Sequence, residues 1–215
     1  MEALRSIQKR IHDAAVRSNR DPKSITLIAV TKTVTAERIR EAAACGVKNV
    51  GENRLQEATS KMDELKDLGL VWHFIGHIQT NKAKKVAECF DGIQSVDRIE
   101  VVDKLGRSAT KPLSIFLEVK LHDEPSKSGA DVSRLPALID MIRRYPTLKL
   151  KGLMSVPPFL ENPEEVRPYF RRLRELAVQY GLSDLSMGMT HDFEVAIEEG
   201  ATMVRIGTGL FGKRQ

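Results

Sequence analysis

Apolar positions along this chain fall into two alternating rhythms. From residue 25 onward, short apolar runs of strand length are each followed by a stretch where apolar residues return every three or four positions. The first kind suits buried strands, and the second has the period of a helix with one buried face. ITLIAV (25–30) precedes a helical pattern over 36–44, which Gly46 ends. VKNV (47–50) precedes one over 54–67, closed by Gly69. VWHFIG (71–76) leads to a helix near 81–89, and GIQSV (92–96) to one over 98–105. LSIFLEVKL (113–121) is followed by a helix over 132–144, and LKLKGLMSV by one over 163–180. LSMGM (185–189) precedes a helix over 191–198, and MVRIG (203–207) precedes a short terminal element. Ahead of them all, Leu4, Ile7, Ile11, Ala14 and Ala15 define an amphipathic N-terminal helix.

Eight such units predict parallel strands joined by helical crossovers. The count points to closure as a (β/α)8 TIM barrel, with 215 residues near the small end of that fold's range. An open doubly wound sheet is the rival. The glycine fingerprint of a dinucleotide site is missing after the first strand, which reads AVTKTVTA. No Ser/Pro/Gly-rich linker divides the chain. The expectation is a single α/β domain over 1–215, with residues 1–20 as an extra helix packed on the barrel.

Composition narrows the class. Hydrophobic residues at 41% and charged ones at 29% are ordinary for a soluble globular protein. The net charge of +5 is spread along the chain, and aromatics at 5% argue against a base-stacking surface. The cluster Lys82, Lys84 and Lys85 reads as a solvated helix face, so no nucleic-acid partner is expected. Cys45 and Cys89 have neither metal-ligand spacing nor a disulfide framework, which suits a reducing compartment and leaves no metal site in view. With no signal-peptide core and no membrane-length apolar run, a cytoplasmic protein is expected.

In a parallel barrel the C-terminal strand ends share one rim, where active sites sit. Lys32 closes the first strand. It either marks emergence into water or offers a Schiff-base amine with a lowered pKa. Gly51-Glu52-Asn53-Arg54 follows the second strand, and His73, His77, Gln79 and Asn81 surround the third. Ser95 stands at the fourth, Glu118 and Lys120 at the fifth, and Met154 and Ser155 at the sixth. Met189 and Thr190 end the seventh, and Arg205, Gly207 and Thr208 the eighth. Thr190 opens a helix, as an N-cap or as an anion ligand. Gly207, Thr208 and Gly209 form a tight turn, and the two loops together suggest a phosphate site. Arg205 alternates with Val204 and Ile206 and needs an interior partner, either Glu118 or a ligand heteroatom. A lysine amine, a phosphate site and a donor between them fit pyridoxal 5'-phosphate (PLP). Its aldehyde would join Lys32 and its phosphate would meet Thr190, Gly207 and Thr208. Its ring nitrogen would meet Arg205, which keeps its own proton and leaves that nitrogen unprotonated. A class I aldolase also needs a barrel lysine and a phosphate site, so these residues alone leave both open.

AVTKT, NVGENRLQEA, WHFIGHIQTNK, QSVDR, PSKSGAD, KGLMSV, SMGMTHDFEVAI and TMVRIGTGLFG follow one another in an order and spacing that resembles the YggS/PROSC family of pyridoxal-phosphate homeostasis proteins. The resemblance runs from about Ile25 to Gly212. It implies a barrel related to the N-terminal domain of bacterial alanine racemase, with Lys32 holding PLP as an internal aldimine. It also implies Arg205 at the pyridine nitrogen and Thr190, Gly207 and Thr208 at the phosphate. Asn53, Met154, Ser155 and Met189 become pocket wall. The family usually has Ser in place of Thr190, Asp-Asp in place of His191-Asp192, and a polar uncharged residue in place of Lys120.

The family is generally regarded as lacking established turnover. A racemase needs acid/base groups on both faces of its substrate. Lys32 serves one face, and a tyrosine from a second domain of a partner subunit usually serves the other. Tyr145, Tyr169 and Tyr180 fall on expected helices or their ends, and no residues remain for a second domain. The resulting expectation is a reversible PLP carrier or buffer, monomeric, open to other B6 vitamers and to PLP-dependent apo-enzymes. A weak PLP-dependent racemase or lyase is the alternative, ahead of a nucleic-acid- or protein-binding module.

Overall fold

The computed structural model describes residues 2–122 and 128–212, in which eight parallel strands close into a barrel in sequence order. The strands are β1 (Thr26–Val30), β2 (Asn49–Glu52), β3 (Val71–Phe74), β4 (Gly92–Val96), β5 (Leu113–Glu118), β6 (Leu148–Met154), β7 (Asp184–Met189) and β8 (Met203–Ile206). The helices are α1 (Glu2–Arg17), α2 (Ala36–Ala44), α3 (Leu55–Glu64), α4 (Ala83–Cys89), α5 (Ile99–Ser108), α6 (Leu135–Arg143), α7 (Arg167–Gln179), α8 (Phe193–Glu198) and α9 (Thr208–Phe211). The (β/α)8 TIM-barrel expectation is met. Closure is made by β1 on β8, with Leu27 opposite Val204, Ile28 opposite Arg205 and Ala29 opposite Ile206.

The differences from the sequence reading lie at element ends. Three helices begin later than expected because their first residues form 310 turns, at Thr80–Lys82, Val132–Arg134 and Pro163–Val166. At the last of these Asn162 accepts a hydrogen bond from the Glu164 amide, and Pro163 presets the turn's φ. Helix α3 stops at Glu64 and tightens into a 310 turn that Gly69 ends at φ +58°, a left-handed conformation glycine adopts without strain. Strand β5 ends at Glu118, beyond which Val119 makes only a single parallel bridge to Ala130. Of the PSKSGAD segment, residues 125–127 lie outside the described residues.

Helix α1 lays its stripe of Leu4, Ile7, Ile11, Ala14 and Ala15, all buried, into the continuous core. Charged side chains of α1 and of the residues just after it reach α8. Arg10 donates to Glu194 at 2.7 Å and covers the Phe193 ring at 4.5 Å, Arg17 donates to Glu198 at 2.9 Å, and Arg20 donates to the Ile197 carbonyl at 2.7 Å. The last two put positive charge where the α8 carbonyls lack helical partners. Glu199, next along, receives Arg167, Arg171 and Arg174 within 3.3 Å. Burial raises its carboxyl pKa, but these arginines outweigh that and hold it below the usual range.

The barrel interior carries a polar chain. Arg205 Nη1 donates to Ser186 Oγ at 2.6 Å, and Ser186 Oγ donates to Gln94 Oε1 at 2.7 Å. Gln94 Nε2 lies 3.3 Å from His73 Nδ1, and His73 Nε2 lies 3.1 Å from Asn49 Oδ1. An amide oxygen only accepts, so His73 carries its proton on Nε2 and accepts from Gln94 on Nδ1. His73 is thus a packed interior group. Burial pushes its pKa down to about 4 from 6.5, against a small opposing effect of Asp91.

That depression makes His73 a source of acid lability. Between pH 6.5 and 4 the unfolded chain binds a proton the folded chain refuses, so stability is full above 6.5 and falls as pH drops towards 4. Denaturant unfolding of wild type and His73→Gln across this range should show wild type losing about 3 kcal/mol more than the variant. Parallel profiles would contradict the assignment.

Candidate functional site

Because Ala29 lies opposite Ile206, the residues that follow each strand also lie side by side. Lys32 sits in the turn after β1, partly buried, and Gly207 and Thr208 begin the turn into α9. They share a cleft of about 520 Å³ whose walls include Lys32, Thr33, Arg38, Gly207, Thr208 and Phe211. Lys32 therefore stands at a walled cavity together with the glycine turn that the sequence suggested for an anion.

Thr190 joins them from β7, but not as a helix cap. Helix α8 starts at Phe193 with Asp192 as its cap residue, and the Asp192 carboxylate accepts from the Met189 amide at 2.6 Å. Burial raises the Asp192 carboxyl pKa, with that amide and Arg205 pulling the other way. This corrects the N-cap reading of Thr190, which lies in the turn before the cap. Its Oγ1 accepts from the Gly209 amide at 3.2 Å and from Thr208 Oγ1 at 3.4 Å. Two hydroxyls and the amides opening α9 thus converge where β7 and β8 end. Gly209 is required for this approach, since a Cβ there would lie 2.8 Å from Thr190 Cγ2.

Arg205 faces inward as its alternation with Val204 and Ile206 implied, and it is buried at 4% exposure. The interior ion pair with Glu118 considered from the sequence is not formed. Its two side-chain contacts are Ser186 Oγ and the Ser155 carbonyl, at 2.6 and 3.0 Å. Burial lowers the guanidinium pKa to about 10, and Glu118 and Asp192 oppose this through space. Glu118 instead accepts from Ser128 at 2.9 Å, and burial pushes its carboxyl pKa up. Arg205 offers five N–H groups, so capacity remains beyond its two contacts.

The other expected wall residues are more dispersed. Met154 and Ser155 are buried at the end of β6, and Met189 is partly buried at the end of β7. Ser155 Oγ and Asn53 Oδ1 are buried without a hydrogen-bond partner. Such atoms are costly unless something else satisfies them. Asn53 lines a separate groove of about 390 Å³ with Arg54, His77 and Lys82. Lys120 belongs to a recess with Asp131 and Arg172, away from the Lys32 cleft. His191 Nε2 donates towards the carbonyls of Leu160 and Glu161 at 3.1 and 3.0 Å, tying the β7 turn to the loop after β6.

The sequence reading assigned no role to a buried cluster behind Lys32. Glu52, Lys61 and Glu57 join Thr31 and Thr33 on either side of it. The visible signal was a glutamate ending an apolar strand. Lys61 looked like any lysine on an amphipathic helix. Among the described residues no group of three or more His, Cys, Asp or Glu is placed to hold a metal, and no helix is long and apolar enough to cross a membrane.

Fold and mouth together define a class, the alanine racemase N-terminal domain, whose family model matches residues 4–215. A pyridoxal phosphate homeostasis protein of Aquifex aeolicus is 46% identical over 100% of this chain and 98% of its own length. The structure of PipY from Synechococcus elongatus with PLP bound is 40% identical, covers 96% of this chain and 100% of that chain, and superposes with a TM-score of 0.83. Alanine racemase from Corynebacterium glutamicum, at 16% identity and a TM-score of 0.70, covers 98% of this chain and 62% of that one and shares the fold alone. The chain belongs to the pyridoxal phosphate homeostasis protein family.

Gly209→Ala should force Thr190 out of its rotamer and break its bond to the residue 209 amide. An overpacking cost of about 1 kcal/mol is expected, seen as a fall in Tm of about 2–4 °C. An unchanged Tm would show that the two loops are not in tight contact.

Proposed function

We propose that this protein binds PLP at the mouth of the barrel through Lys32 and acts as a carrier or buffer of the cofactor. The observation that carries the proposal is the juxtaposition of Lys32 with Gly207 and Thr208 in one cleft, which the β1–β8 pairing imposes. An aldehyde at the lysine and a phosphate at Thr190, Gly207 and Thr208 would then lie at opposite ends of one small molecule. The residues fit that group. Backbone amides at a helix start and two hydroxyls suit a phosphate, and Ser155 Oγ is buried without a partner. Further support comes from PipY, 40% identical, whose structure was solved with PLP bound.

When bound, PLP supplies an aldehyde that condenses with amines and a ring that can delocalise charge. Lys32 Nζ would form a carbon–nitrogen double bond to the aldehyde carbon, whose oxygen leaves as water. Arg205 would face the pyridine nitrogen as a donor that stays protonated at neutral pH, a weak setting for electron withdrawal. Met154 and Met189 would wall the ring. The carrier reading is further supported by the tyrosines. Tyr145 donates to Asp103 on α5 at 2.6 Å, Tyr180 follows α7, and Tyr169 packs edge-on against His122. None is placed against Lys32 as a second base. We read the carrier as monomeric and cytoplasmic, open to other B6 vitamers and delivering to PLP-dependent apo-enzymes.

Purified protein incubated with PLP and then freed of unbound cofactor should retain near-visible absorbance, which Lys32→Ala should lose. Thr190→Val and Thr208→Val should keep the band with affinity weakened about ten-fold each, the value of one charge-assisted hydrogen bond. A band of full strength in Lys32→Ala would overturn the reading, and steady racemisation of alanine by the wild type would overturn the carrier role.

A further inference from the structure

The turn that presents Lys32 is held from behind on both sides. On one side, Lys61 Nζ donates to the Thr31 carbonyl at 2.6 Å and Thr31 Oγ1 donates to Glu52 Oε1 at 2.7 Å. On the other, the Thr33 amide donates to Glu57 Oε1 at 2.5 Å. Lys61 Nζ links the two sides by donating to Glu52 Oε1 at 2.7 Å and Glu57 Oε1 at 2.6 Å. All three of its N–H groups are thereby engaged. Thr31 and Glu52 are fully buried, and Lys61 is 7% exposed.

Two features set this cluster apart from an ordinary ion pair. Thr33 adopts φ +63°, the left-handed region that a β-branched residue avoids. Such a conformation persists only where its surroundings over-determine it, and the Glu57 carboxylate on the Thr33 amide does so. Glu52 Oε2, moreover, is buried without a hydrogen-bond partner. A buried pair with an unsatisfied oxygen is a poor source of stability. Burial raises the Glu52 pKa, and Lys61 and Thr31 act against that. The cluster's clearest structural effect is to fix the peptide before and after Lys32.

Resting on the proposed attachment of PLP to Lys32, we infer that Glu52, Lys61 and Glu57 are positioning residues that hold the Lys32 turn in the conformation delivering its amine to the ligand aldehyde. They do not touch the ligand. Their contribution falls on formation of the covalent bond, whereas phosphate and ring binding on the β7–β8 side is independent of them. Small displacements of a reacting group cost large factors in rate.

The test compares two ligands on wild type, Glu52→Gln and Glu57→Gln. PLP bonds to the lysine, whereas pyridoxine 5'-phosphate has the same ring and phosphate but no aldehyde. Stopped-flow growth of the near-visible band should slow by about ten-fold or more in both variants. Affinity for pyridoxine 5'-phosphate by calorimetry should stay close to wild type. Should Glu52→Gln fail to fold, Glu57→Gln, altered at a less buried position, carries the comparison alone. Attachment at wild-type speed would overturn the inference. So would parallel loss of both ligands, because the cluster would then be holding the pocket as a whole. A wild type that binds both ligands but never develops the band would instead sink the Lys32 reading itself.

Discussion

Closure of the barrel is the constraint from which the rest follows. An open sheet in the same strand order would leave β1 and β8 as separate edges, about as far apart as eight strands allow. Closure instead hydrogen-bonds the first strand to the last, with Ala29 beside Ile206. The turn bearing Lys32 and the turn bearing Gly207 and Thr208 are some 175 residues apart in sequence, yet they become neighbours by backbone pairing alone. Thr190 enters from the adjacent β7 through its bond to the Gly209 amide. The lysine turn and the glycine turn therefore owe their proximity to main-chain geometry, which side-chain variation disturbs little.

The barrel interior and the mouth are joined through Arg205. Its guanidinium is fixed from below by Ser186 and the chain through Gln94, His73 and Asn49, and from the side by the Ser155 carbonyl. A buried polar network of this kind is costly unless its members are satisfied, and when satisfied it rigidifies. Here each named side chain donates to or accepts from the next. Burial correspondingly moves the arginine and the histidine towards their neutral forms. The contrast with the Lys32 side is instructive. There the cluster of Glu52, Lys61 and Glu57 bonds to backbone on either side of Lys32, whose side chain stands at the cleft wall.

Much of this was legible in the chain because the barrel repeats one rule. Each strand is an apolar run and each helix an apolar stripe, so alternation alone gave the order of elements and placed Lys32, Thr190, Arg205, Gly207 and Thr208 at one rim. Helix starts were less legible. Pro163 and the 310 turns delay α7 and α6, and α8 begins after Asp192 rather than at Thr190, because local hydrogen bonding decides these ends and period does not. Partners across the barrel were invisible. Gln94 and Ser186 sit on different strands far apart in sequence, and only closure aims them at one another. Lys61 was missed for a related reason. On α3 it stands three residues after Ala58 and four before Leu65, in the buried stripe, and its partner there, Glu52, comes from the neighbouring strand.

Chemical trapping reads out whether Lys32 is the amine that takes the cofactor. Protein incubated with PLP, reduced with borohydride to fix any carbon–nitrogen double bond and then digested should carry the added mass on the peptide containing Lys32. Label confined to Lys120 or to surface lysines, or the absence of label from wild type saturated with PLP, would contradict the account.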